Sequence, residues 1–234
     1  MKLWFRFEKI DKMIYISYID LLQVLARGIK RAGVSISLSE GFNPQPKISF
    51  AHPLPLGVSS STDFGELELN DSELESNLNL DELRQRINYN LPYGFNILDF
   101  KKPALFKPPK LMSLVEATSY EIECSNLVSK EELRRLLDDF RNKDKVTMQK
   151  KKKKSGKIVE KDIKPMIYDL EVNETSLIGT FQSGSNGNLR PDVFIRLFFQ
   201  DENSIEKVHC SRTGLYFFDK NKELVTLWNW DELN

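Results

Sequence analysis

The chain has 234 residues, and its 34 Lys and Arg balance 34 Asp and Glu, so the formal charge is zero with His neutral. A chain of this length makes one or two domains and buries roughly 70 to 75% of its unfolded surface, enough to fold without disulfide or metal staples. Its 40% hydrophobic and 29% charged residues are those of a soluble globular protein. Overall neutrality excludes a uniformly basic nucleic-acid coat and leaves room for a locally basic face.

In chain order, Leu3, Phe5 and Phe7 alternate with Trp4, Arg6 and Glu8, the period of a half-buried strand. Ser17 with Asp20 starts a helix in which Leu22, Leu25, Ala26 and Ile29 keep helical spacing until Gly33 caps it. Lys47 to Ala51 and Gly65 to Leu69 read as two short strands around a Pro/Gly/Ser segment, Pro53 to Thr62. Asn79 with Glu82 starts a second helix through Leu80, Leu83, Ile87 and Leu91, ended by Pro92, and Phe95 to Phe100 makes another strand. The order is βαββαβ, that of a ferredoxin-like domain over residues 1–100.

Residues 101–110 hold Pro103, Pro108 and Pro109 and read as a semi-rigid linker. The plan then recurs over 111–234. It has a strand near Val115 to Cys124, a helix begun by Ser129 and Glu132 with Leu133, Leu136, Leu137 and Phe140, and a strand near Val146. After the Lys-rich insertion 141–164 and a segment around Ile163 to Val172 come a strand near Leu177 to Phe181, a Pro191-started helix through Phe199 and a strand near Ile205 to Arg212. The expected class is α+β, two ferredoxin-like (βαββαβ) subdomains of which the second carries a basic insertion. No sequence repeat links the halves, so the duplication is one of topology.

Cys124 and Cys210 are too few and too far apart for a disulfide framework or a zinc site, and read as reduced core thiols in a cytoplasmic protein. Charged residues interrupt the N-terminus, and the uncharged stretches Ile48 to Thr62 and Thr175 to Leu189 hold Pro or Gly among many polar residues, so neither export nor membrane insertion is expected.

Charge is locally polarised: 141–164 holds 11 basic against 3 acidic residues, a net of +8, and 59–100 holds 2 against 9, a net of −7. Lys150, Lys151 and Lys152 in the insertion form either a phosphate-neutralising hairpin tip or a solvated loop. Arg27, Lys30 and Arg31 share one exposed helix face opposite the apolar stripe. Beyond them runs Ser39-Glu40-Gly41-Phe42-Asn43-Pro44-Gln45-Pro46-Lys47, stiffened by two prolines and turned at Gly41. Asn43 and Lys47 in this loop either join the helix cations as an anion or RNA-backbone site or belong to a stiff connection. Trp4 either stacks bases or packs against the other domain. Arg190, closing the Gly184 to Pro191 loop before a helix, marks an anion site or a flexible turn.

Catalytic signals are weak. His52 and His209 are the only histidines, without a nucleophile or metal-ligand spacing, and Glu66 and Glu68 share a strand face whose usual use is solubility. No catalytic residue, cofactor or metal is assigned.

Phe7-Glu8-Lys9, Ile16-Ser17-Tyr18-Ile19-Asp20-Leu21, Lys30-Arg31-Ala32-Gly33, Ser39-x-Gly41-Phe42-Asn43-Pro44-x-Pro46-Lys47-Ile48-Ser49-Phe50-Ala51 and Leu54-Pro55-Leu56-Gly57 together resemble the bacterial radical SAM-linked protein family, domain of unknown function 2344. Sparser similarity follows at Lys161 to Pro165, Gly187 to Pro191 and Arg212 to Gly214. The resemblance implies that Ser17, Tyr18, Asp20, Ser39, Gly41, Phe42, Asn43, Pro44, Pro46 and Lys47 are family-motif residues. It also implies a partner, the B12-binding-type radical SAM protein encoded beside or fused to such chains, and an RNA substrate. The family commonly has His at the positions of Tyr18 and Gln45; read as replaceable polar contacts, these departures argue against intrinsic catalysis. The expected function is a non-catalytic accessory protein that binds RNA (tRNA or rRNA) or docks the enzyme. The alternative is an RNA-processing or RNA-modifying enzyme on the same scaffold.

Overall fold

A computed structural model describes residues 1–70, 79–151 and 158–233. The fold is mixed α+β, and the chain divides into two compact units: Met1–Val115 with Arg212–Asn234, and Glu116–Ser211.

The first unit contains β1 (Lys2–Lys9), α1 (Tyr18–Arg31), β2 (Ile48–Phe50), β3 (Ser59–Glu68), α2 (Leu80–Asn88), β4 (Phe95–Lys101) and the one-turn α3 (Leu111–Leu114). The second contains β5 (Ala117–Glu123), α4 (Lys130–Asn142), β6 (Thr147–Lys151), β7 (Ile158–Asp162), β8 (Ile167–Asn173), β9 (Ser176–Gln182), α5 (Pro191–Phe199) and α6 (Ser204–Lys207). Strand β10 (His209–Phe218) ends the second unit, and from Arg212 onward it belongs to the first, with β11 (Leu224–Thr226) and a 3-10 turn at Leu227–Glu232.

In the first unit the strand order is β4-β1-β3-β10, with β2 also on β3 and β11 on β10. β1 is antiparallel to both neighbours, Phe5 facing Gly65 on one side and Phe100 on the other. Alternation puts Leu3, Phe5 and Phe7 on one face, where they pack against Leu21, Leu25 and Ile29 of α1 and Leu83 and Ile87 of α2. Both helices begin at the expected caps: Ser17 accepts from the Asp20 N–H, and Asn79 from the N–H groups of Asp81 and Glu82.

Trp4 faces the other way and is buried with Phe64, Leu111, Leu215, Phe217 and Leu227. Trp230 lies 6.1 Å from it: Trp4 packs, as one sequence reading had it, against residues of 111–234, although these belong to its own compact unit. Glu66 is corrected as well: it is buried rather than solvent-facing, with Lys2 Nζ at 3.3 Å and the Leu111 N–H of α3 at 3.2 Å. The 101–110 stretch is tied down within the first unit, since Asp231 accepts from the Ala104 N–H and Lys101 donates to the Trp228 carbonyl at 2.9 Å. Strand β3 starts earlier than expected, at Ser59, because β10 supplies it with a partner.

In the second unit β9 pairs antiparallel with β5 and β8, and β6 and β7 form a separate hairpin. Its core stacks Phe140 of α4, Phe181 of β9, and Phe194 and Phe198 of α5. Residues 204–207 are helical where a strand was expected: Asp201 accepts from the Asn203 N–H and from Lys207 Nζ, and the Ser204 hydroxyl donates to the Asp201 carbonyl, which winds the turn. Cys124 and Cys210 are buried and form no disulfide, and burial pushes the Cys124 thiol up to about 12. No helix among the described residues is long and apolar enough to cross a membrane.

Candidate nucleic-acid interface

Two clusters in the first unit stand out, one on its surface and one in its interior.

The surface cluster begins with α1 and the loop after it. The loop is closed by its own backbone: the Ser39 N–H donates to the Gln45 carbonyl at 2.8 Å, the Gln45 N–H to the Ser39 hydroxyl at 2.9 Å, and the Lys47 N–H to the Ser37 carbonyl at 2.8 Å. Leu38 and Pro46 bridge across its base. Gly41 sits at φ +131°, a conformation L side chains avoid, although a Cβ there would meet open space. The loop therefore holds its shape while Phe42, at its tip, lies fully exposed beside exposed Asn43 and Pro44.

Arg27 and Lys30 line a groove of ≈ 630 Å³ with Val34, Ile36, Leu38 and Pro46, so the α1 face and the base of the loop share one wall; Asn43 and Lys47, which the sequence reading set beside these cations, are not in its lining. Arg27 donates only to Gln23, at 3.3 Å, and Arg31 to the Asn90 carbonyl, at 2.5 Å; neither meets a carboxylate among the described residues. Lys47 differs, being paired with Glu68 at 2.9 Å, and is removed from the free cations of the groove.

Arg190 belongs to the second unit, where Asp192 in the first turn of α5 accepts from its Nε at 2.9 Å and its Nη2 at 3.1 Å. The proposed anion site there is filled by an internal pair. Lys150 and Lys151 pair with Val159 and Ile158 in the β6-β7 hairpin of that unit, and Lys152 lies outside the described residues.

The family-motif residues carry architecture as well. Ser17 caps α1 and donates its hydroxyl to Asp20 at 2.6 Å. The Tyr18 ring packs edge-on against Phe50 at 5.6 Å, and burial pushes its phenol up, against a hydrogen bond to the Phe50 backbone. Gln45 closes the loop through its main chain, a task that does not need His.

Sequence reading takes Lys9 and Arg212 only as positions of the family pattern and does not bring the interior cluster together. Asp63 on β3 and Arg212 on β10, both wholly buried, form an ion pair. Arg212 also donates to the carbonyls of His52 at 3.0 Å and Pro53 at 3.3 Å, and its Nη1 lies 3.2 Å from His52 Nδ1. Asp63 accepts from the Phe64 N–H at 2.9 Å, and buried Lys9 donates to the Ile14 and Ile16 carbonyls at 3.3 and 2.9 Å. Burial pushes the Asp63 carboxyl up, with Arg212, Phe64 N–H and Lys9 pulling toward the carboxylate. Burial draws Lys9 down to about 8, Asp63 opposing and Arg212 adding to the shift. Arg212 Nη1 can only donate, so His52 Nδ1 accepts and the ring is neutral, its pKa lowered by burial and by Arg212 to about 4. These residues are scattered over more than 200 positions of sequence, and no local spacing announces them.

The His52 shift has a testable sign. Unfolded chains protonate this ring near pH 6.5 and the native state only near 4, so His52 destabilises the fold as pH falls through that window and is silent above it. Urea midpoints at pH 7, 5.5 and 4 should fall less steeply for His52→Asn than for the unchanged chain. Equal slopes would refute the assignment.

Comparison with known proteins places these features. Among the described residues no three His, Cys, Asp or Glu side chains group as a metal site. No curated protein matches the chain. Among solved structures, a chain of "Crystal Structure of a Cbf5-Nop10-Gar1 Complex" is similar at 11% identity and a TM-score of 0.43, over 98% of this chain and 54% of that one. The present chain thus spans about half the length of that solved chain. The loop, the α1 face and the strands that hold them all fall within residues 2–191, which match the family described as "Uncharacterized protein conserved in bacteria (DUF2344)", and the chain belongs to that family.

Proposed function

We propose that the protein is a non-catalytic accessory factor that binds RNA through the groove between α1 and the Ser39–Lys47 loop. The observation that carries this reading is the groove wall itself: Arg27 and Lys30 stand without a carboxylate partner among the described residues, beside a closed loop that presents an aromatic ring and an amide. Uncompensated cations take phosphates, and an exposed ring carried on the adjoining loop takes a base. The first unit's β1-α1-β2-β3-α2-β4 order, with β1 between β3 and β4 and β2 on β3, supports reading it as ferredoxin-like, and the β5-α4-β8-β9-α5 series supports the same plan for the second. Docking to a radical SAM protein rests on the family resemblance, and co-purification of the two at low salt is its test.

RNA binding is measured by fluorescence anisotropy with a labelled structured RNA between 50 and 200 mM salt. Affinity should fall steeply with salt, and Arg27→Ala/Lys30→Ala should lower the log–log slope by about 1.4 to 1.8 for the two phosphate contacts removed. Binding that ignores salt, or no binding, would overturn the RNA reading.

A further inference from the structure

The cationic face does not end at the loop groove. Gly28 of α1 has no Cβ to collide with the Leu91 side chain, whose Cδ2 would stand 2.5 Å from one. Leu91 therefore seats directly on the helix and brings the end of α2 alongside Arg27 and Arg31. Arg27, Arg31, Tyr89, Asn90 and Pro92 line a cleft of ≈ 400 Å³ there. Arg31 and Tyr89 continue with Gln85 and Arg86 into another of ≈ 460 Å³. Arg27 is common to the loop groove and the first of these clefts, so the three depressions form one track across α1.

The cations along this track are held in place without being neutralised. Arg31 donates to the Asn90 carbonyl at 2.5 Å and Arg86 to the Ala32 carbonyl at 2.6 Å, contacts with neutral oxygens at helix ends. No carboxylate pairs with Arg27, Lys30, Arg31 or Arg86 among the described residues, whereas the neighbouring Arg84 is paired with Asp81. Tyr89, 91% exposed, lines one end of the track beside Arg31 and Arg86, and at the other end the groove is walled by Leu38 and Pro46, the base of the loop that carries exposed Phe42 at its tip.

We propose that the RNA bound is single-stranded, its phosphates lying over Arg27, Lys30, Arg31 and Arg86 and two of its bases stacked on Phe42 and Tyr89. The inference rests on the RNA reading above and narrows it. A duplex offers phosphates to the cations but no free base face to either ring, because its bases are stacked on one another; an unpaired strand offers both. Arg27 and Arg31 lie about 6 Å apart along α1, so successive cations follow a backbone rather than surround one ion.

The test compares a labelled 12-nucleotide RNA with a blunt RNA duplex of the same sequence, using the full chain at 100 mM salt. The single strand is expected to bind at least tenfold more tightly. Tyr89→Ala and Phe42→Ala should each weaken single-strand binding about 5- to 100-fold, the range of one base–ring stack, and leave duplex binding unchanged, while Tyr89→Phe retains it. Arg27→Ala/Lys30→Ala should weaken both. Equal binding of strand and duplex, or full single-strand binding by both alanine variants, overturns this inference and leaves the cationic reading standing. A chain that binds neither RNA overturns both.

Discussion

Replacing Arg212 with Met is expected to destabilise the first unit by about 3 to 5 kcal/mol, the cost of leaving a buried charge without its partner. Asp63 would remain wholly buried with only the Phe64 N–H bonded to its carboxylate, and the carbonyls of His52 and Pro53 would lose their donor. Arg212 is also where the chain re-enters the first unit, so its loss should loosen β10 and the tail that covers Trp4. The pH dependence distinguishes this from a simple packing defect. An orphaned carboxyl whose native pKa is raised contributes stability that is complete below its unfolded value, near 3.9, and is lost as pH rises through the native one. The deficit of Arg212→Met in urea midpoint should therefore shrink as pH is lowered from 7 to 5. Arg212→Met/Asp63→Leu should recover part of the loss, since the unpaired charge is gone while two carbonyls stay unbonded. A deficit indifferent to pH and unrelieved in the double variant would contradict the assigned pair.

Phe194→Ala should cost the second unit a similar amount, about 3 to 5 kcal/mol. The ring is fully buried, with centroids of Phe181 at 4.6 Å, Phe198 at 5.6 Å and Phe140 at 5.8 Å. It thus joins α5 to β9 and α4, and its removal takes away three aromatic contacts and leaves a hole the remaining stiff rings cannot close. Hydrogen exchange should report the loss at amides of α4, α5 and β9, and Phe194→Leu should cost less than Phe194→Ala. Unchanged protection in those elements would show that the cluster does not hold the unit.

These two sites differ in how far they could be read before the structure was known. Phe194 and Phe198 follow Pro191 at helical spacing, and Phe140 falls on the apolar stripe begun by Ser129, so their burial was visible in local periodicity. The same holds for Leu25 and Ile29 of α1, and for the Arg27, Lys30 and Arg31 face opposite them. Glu66 was misread because strand alternation says only which residues share a face, not what covers that face; here α3 does. For Lys47 and Arg190 an anion site and a plain connection or turn both stay open in the sequence, because neither the Lys47–Glu68 nor the Arg190–Asp192 pairing could be ranked against exposure from spacing alone. Arg86 and Tyr89 were passed over since they belong to another helix, brought to α1 only by the fit of Leu91 on Gly28.

Taken alone, the sequence determined most of the elements, the caps of α1, α2 and α4, the stiffness of the Ser39–Lys47 loop and the cationic face of α1, all of which depend on residues within a few positions of each other. It also carried enough of the family's pattern for the resemblance to be seen. Only the tertiary structure decided which cations are neutralised, which acidic residues are buried, and that Arg212 joins Asp63 and His52 across some 150 residues of chain. The physical reason is that local propensity acts through neighbouring backbone, whereas charge pairing and burial are set by which distant surfaces close on each other. The net charge of zero is likewise a sum over places: among the described residues the cations across α1 meet no carboxylate, while Glu68 is engaged by Lys47 and Asp81 by Arg84.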